Sequence, residues 1–111
     1  MLSKAIQPFV VVIILVLCIA SAVAASRGNE SKGRKQFRQT CKNCHTKGAT
    51  GGEISPLSKT TAQWQKYFST GTHARGQEPI EKVMNAEQLR DVEAFLTAHA
   101  ADSLQPETCG R

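Results

Sequence analysis

Between Phe37 and Leu96 the chain holds only thirteen large apolar side chains, and that shortage constrains the fold more than any other feature. A domain of this size buries too little apolar surface to fold comfortably on packing alone, so it calls for a disulfide, a metal or a cofactor to complete its core. The 111 residues leave room for one domain, and not all of them belong to it. Met1 to Gln7 carries a single charge, Lys4; residues 8–20 are almost wholly apolar; Ser21-Ala22-Val23-Ala24-Ala25 then supplies the small residues after which a signal peptidase cuts. Residues 1–25 therefore read as a signal peptide. The alternative is an uncleaved anchor, because the apolar run and its small-residue tail approach the roughly 17 to 25 residues that span a bilayer. On either reading the domain, residues 26–104, is exported, as in the periplasm of a bacterium, and residues 105–111 form a polar tail. Leu17 ahead of Cys18 argues against a lipid anchor at that cysteine.

Three helices are predicted. The first runs from about Ser31 to His45, with Asn29 or Ser31 as N-cap. Gly33, Phe37 and Cys41 recur at four-residue spacing and Cys44 follows three later, so they share one face. Residues 47–59, with Gly48, Gly51, Gly52 and Pro56, have the composition of a loop. The second helix spans Thr60 to Thr70, opened by a Thr60/Gln63 capping box and stopped by Gly71. It carries Trp64, Tyr67 and Phe68 on one face, a wall for a planar ligand or simply core. The third begins at the Asn85 cap, with Gln88 completing the box and Met84 and Leu89 spaced as a hydrophobic staple. It ends near Ala101, and Leu89, Val92, Phe95, Leu96 and His99 form its apolar stripe.

The chemistry lies in Cys41-Lys42-Asn43-Cys44-His45. Cys-x-x-Cys-His is the attachment signal for haem c: two thiols on one turn reach the two vinyl groups of the porphyrin, and the adjacent histidine turns its imidazole to the iron. Such a haem would supply the core that the apolar residues do not. Rival readings fit less well. A thiol oxidoreductase places Cys-x-x-Cys at a helix N-terminus after a strand, whereas this motif ends a helix. A zinc site needs four ligands, and Cys41, Cys44 and His45 have no second close pair, only a distant Cys109 or His73.

With these residues in view, the chain resembles the class I, single-haem c-type cytochromes over most of residues 26–104. Gly33-x-x-x-Phe37-x-x-x-Cys41-x-x-Cys44-His45 is similar to that family's N-terminal helix, and residues 89–96 are similar to its C-terminal helix. The resemblance implies an all-α fold, with three main helices around one covalently bound haem. It also implies that Gly33 and Phe37 meet Phe95 where the two helices cross, and, more loosely, that Trp64 reaches a haem propionate. No Gly-Pro follows His45 directly, and Pro56-Leu57 arrives late, so the loop departs from the family pattern. The implied function is one-electron transfer between redox partners, without catalytic residues of the protein's own.

The second axial ligand is open at this level. The family's usual ligand is a methionine in the loop before the last helix, and Met84 is the one available; it stands directly against the Asn85 cap, closer to the helix than family methionines usually do. His73, in the glycine-flanked segment Gly71-Thr72-His73-Ala74-Arg75-Gly76, is the first choice, since a neutral imidazole ligates iron strongly and the glycines let the backbone approach. Histidine would imply a lower potential than methionine. A vacant or labile position would instead imply a small-ligand binding or sensing protein. His99 is expected to pack, or to face its helix's C-terminal dipole.

Charge adds an expectation about partners. Residues 25–66 hold nine basic and two acidic side chains, and residues 67–111 hold four and seven. A basic patch near a haem edge would steer a redox protein with an acidic docking surface. Nucleic acid is a poor fit, because export removes such targets and no aromatic-basic binding motif is present. Membrane contact is expected only if the N-terminal segment is retained. Cys109, left over once Cys18 is removed, allows a disulfide-linked dimer.

Overall fold

The structure, a computed structural model, describes residues 27–74 and 76–108. The segment expected to be a signal peptide and Cys109 lie outside them. What is described is mostly helical: α1 (Glu30–Gln39), α2 (Thr61–Thr70) and α3 (Ala86–Ala98), joined by irregular chain with three short 3-10 turns. Among the described residues no helix is long and apolar enough to cross a membrane.

Each helix starts where its capping residues dictate. The Asn29 side chain accepts the Lys32 N–H, satisfying a backbone donor that has no partner within the helix. Thr60 with Gln63, and Asn85 with Gln88, form reciprocal capping boxes. Gly71 ends α2 in the left-handed region at φ 68°, where a Cβ is costly. The helix ends differ from the expected ones at two places. The first helix stops at Gln39, and the chain tightens into a 3-10 turn over Cys41–Asn43. The third stops at Ala98, and Asp102 folds back to accept the Thr61 N–H at 2.7 Å, tying the end of α3 to the start of α2.

The frame is the crossing of α1 on α3. A Cβ built on Gly33 would lie 1.8 Å from the Asp91 carbonyl oxygen, and one on Gly28 would lie 1.9 Å from that of Arg90. Backbone touches backbone there, so only glycine fits. The contact of Gly33 is therefore with Asp91 and Val92, one turn ahead of Phe95; Phe37 alone makes the expected aromatic contact, with ring centroids 5.7 Å apart. Asp91, although charged and buried, accepts the Asn29 N–H at 2.8 Å. Around the crossing Phe37, Trp64, Met84, Val92, Phe95, Leu96 and Ala100 form the buried cluster, and Cys41, Ile54, Tyr67, Phe68, Val83 and Leu89 pack half-buried against it. Both members of the Met84/Leu89 staple join this core.

The chain after α2 adds an element absent from the all-helical expectation. Thr72–His73 and Glu78–Pro79 form a two-residue antiparallel ladder in which His73 stands opposite Glu78. Nothing in the hydrophobic pattern marks strands this short. The polar tail also lies down on the frame: the Glu107 N–H donates to the His99 carbonyl, and Arg34 donates to the Glu107 carboxylate at 2.8 Å.

Candidate functional site

Cys41, Cys44 and His45 share one turn directly after α1. The Cys44 and His45 amides both donate to the Cys41 carbonyl, at 3.2 and 3.0 Å. Cys41 is half-buried at the edge of the core and Cys44 is exposed. The loop beyond then doubles back on the turn: the Gly51 N–H donates to the Cys44 carbonyl at 2.8 Å and the Ile54 N–H to that of His45 at 3.1 Å. Gly51 also presents its carbonyl to His45 Nδ1 at 3.1 Å. A Cβ on Gly51 would fall 2.6 Å from that nitrogen and 2.7 Å from the Cys44 carbonyl oxygen. The glycine is thus required by the closeness of the loop to the imidazole.

His73 approaches from the hairpin after α2. Its ring centroid is 6.1 Å from that of His45, with the two planes at 81°. Its Nδ1 lies 2.8 Å from Glu78 Oε1. These two contacts determine the tautomers. A carbonyl and an ionised carboxylate can only accept, so Nδ1 carries the hydrogen in both neutral rings and each Nε2 keeps its lone pair. Two imidazoles so prepared could each offer a lone pair to one metal.

The residues present would suit a haem, which Cys41 and Cys44 would hold covalently and to which His45 and His73 would offer their imidazoles. Half-buried Ile54, Tyr67, Phe68 and Val83 pack against the same core as Cys41, apolar surface of the kind a porphyrin would cover. Burial, and secondarily the neighbouring Cys41, raises the Tyr67 phenol above its ordinary pKa of 10.0. Burial likewise pushes the Cys41 thiol up to about 11. Thiol exchange needs a thiolate at working pH, so this is the opposite of an activated redox cysteine. Among the described residues no three or more His, Cys, Asp or Glu gather as ligands for a metal ion, as a zinc site would require.

Two further expected site residues lie in the core. Met84 is 6% exposed inside the hydrophobic cluster, whereas the ring close to that of His45 is His73. Trp64 is 2% exposed and its Nε1–H donates to the Pro56 carbonyl at 2.9 Å. An indole has one N–H, and here it anchors the late Pro56 turn to α2. His99 behaves as expected, with its ring 5.5 Å from that of Phe95 and its Nδ1 2.8 Å from the Gln105 carbonyl oxygen. Sequence reasoning missed Gly51 and Glu78. Gly51 was visible only as loop composition. Glu78 has a signal in hindsight: Gly71, Gly76 and Pro79 bracket a turn, and such a turn sets the residue five beyond His73 across from it.

Protein-family models, curated proteins and solved structures return no match to this chain.

Proposed function

We propose that this protein is an exported single-haem c-type cytochrome that carries electrons one at a time, with haem bound through Cys41 and Cys44 and ligated by His45 and His73. When bound, the haem supplies the Fe(III)/Fe(II) couple. The protein's own work is to hold the two imidazoles in one tautomer, to cover part of the cofactor with Ile54, Tyr67, Phe68 and Val83, and to offer partners a basic face. The observation that carries the reading is the close pair of imidazoles, 6.1 Å between ring centroids and each with Nδ1 engaged, beside a Cys-x-x-Cys-His turn. The resemblance of α1 and α3 to the class I cytochrome helices supports it, as does the Gly33 crossing. Two histidine ligands imply a lower potential than histidine with methionine.

The test is the optical and magnetic spectra of the mature protein, made in a host that attaches haem c. A pyridine haemochrome of the c type and a bis-histidine low-spin ferric signal are expected, with His73→Ala altering the spectra and Met84→Ala preserving the ligation. Absence of covalent haem, or a spectrum that responds to Met84→Ala and not to His73→Ala, overturns the assignment. A second reading, a haem protein that binds a small ligand by displacing His73, draws on one observation: the His73 side chain is 31% exposed and sits on a two-residue strand. Carbon monoxide binding to the reduced protein at equilibrium separates the two.

A further inference from the structure

The two imidazoles are supported unequally. His45 Nδ1–H donates to a neutral backbone carbonyl, whereas His73 Nδ1–H donates to the carboxylate of Glu78. Hydrogen bonds to charged acceptors are about twice as strong as neutral ones, and a carboxylate behind a ligating histidine raises the basicity of the ring. The pairing is built into the backbone as well as the side chains. His73 and Glu78 are directly opposed in the hairpin, the Gly76 and Gln77 amides both donate to the His73 carbonyl, and the Ile80 N–H donates to the Gly71 carbonyl. The turn therefore delivers the carboxylate to the ring whenever it forms. The resemblance to the cytochrome family implied nothing about Glu78.

We propose that Glu78 is the positioning residue for the distal ligand: it holds His73 in the Nδ1–H tautomer and makes it the stronger donor of the axial pair, lowering the reduction potential and keeping exogenous ligands out. The inference rests on the reading of His45 and His73 as axial ligands. A stronger anionic donor favours the ferric over the ferrous state, so the potential falls. Because the Glu78 side chain is 38% exposed, solvent screens part of its charge, and the shift is smaller than a buried carboxylate would give. Glu78 lies outside the Cys41–His45 turn and its side chain engages His73, so its removal leaves haem attachment intact.

The experiment compares the holoprotein with Glu78→Gln, Glu78→Ala and His73→Ala. The readouts are the reduction potential by spectroelectrochemistry and the affinity of the reduced form for carbon monoxide. Glu78→Gln keeps an acceptor and removes the charge, so its potential rises while the ferric spectrum stays low-spin. Glu78→Ala removes both, and its carbon monoxide affinity rises, because a histidine that loses such a support holds a metal more weakly, typically by about 10- to 100-fold. Potentials and affinities equal to wild type in both Glu78 variants, with His73→Ala clearly changed, overturn the role of Glu78 and leave His73 as ligand. A His73→Ala protein with wild-type spectra overturns both readings at once.

Discussion

The α1–α3 crossing and the pair of loops that bring His45 to His73 are built on different principles. At the crossing, backbone lies on backbone at Gly28 and Gly33, two phenyl rings meet, and the surrounding side chains are buried. In the loops, each imidazole is held at Nδ1 by one acceptor, and both histidines remain partly exposed. The first region owes its stability to close packing, which tolerates little change in volume. The second owes its geometry to a few hydrogen bonds and a few missing Cβ atoms. Fold stability and ligand geometry are therefore separable in this molecule.

The sharpest test adds one methyl group in each region. Gly33→Ala sets a Cβ against the Asp91 carbonyl with no flexible side chain to give way. Its cost should exceed the roughly 1–3 kcal/mol usual for overpacking, enough to leave so small a domain largely unfolded in a denaturant titration followed by circular dichroism. Gly51→Ala makes a similar clash, with the His45 ring and the Cys44 carbonyl, but outside the packed frame. We expect the helical signal and unfolding midpoint to stay within about 1 kcal/mol of wild type, while the visible spectrum of the haem-loaded protein shows altered His45 ligation. If both substitutions unfold the chain equally, the two regions are not separable.

Smaller changes sharpen the comparison within the frame. Asn85→Ala removes the acceptor for the Gln88 backbone N–H, which is half of the capping box; about 1 kcal/mol of stability should go, with no change in haem spectrum. The least effect is expected from Glu107→Gln on the returning tail. The hydrogen bond from Arg34 holds the Glu107 pKa below its ordinary 4.5. A carboxylate lowered on folding stabilises the native state above its unfolded pKa, and that contribution is lost as pH falls through the folded value. The difference between wild type and Glu107→Gln should therefore be present at pH 7, begin to fade below about 4.5 and vanish only once the pH is below the lowered folded value. Its size is limited because Glu107 Oε2 is buried without a hydrogen-bond partner. A difference that persists unchanged at low pH would mean that the Arg34 contact is not its source.

The helices were legible because their signals are local. Thr60 with Gln63, Gly71, and Asn85 with Gln88 each act within one turn, and those boundaries appear where the residues place them. The shortened end of α1 was not legible, since Cys41 to His45 can continue a helix or tighten into a 3-10 turn, and the loop returning at Gly51 and Ile54 accompanies the second. The partner of the Trp64 N–H was not legible for a similar reason: an indole N–H has one partner, and which partner depends on where residues eight positions away come to lie.

From the order of residues alone came the Cys41–His45 motif and the three helices, which depend on spacing along the chain; the resemblance to the cytochrome family added the crossing at Gly33 and Met84 as a rival to His73 for the second ligand. The tertiary structure decided that His73 faces His45 while Met84 is buried, that Gly33 meets Asp91 and Val92, and that Gly51 and Glu78 stand behind the two imidazoles. Those outcomes turn on separations of a few ångströms between segments remote in sequence, and periodicity, which records only which residues share a face, carries no information about such distances.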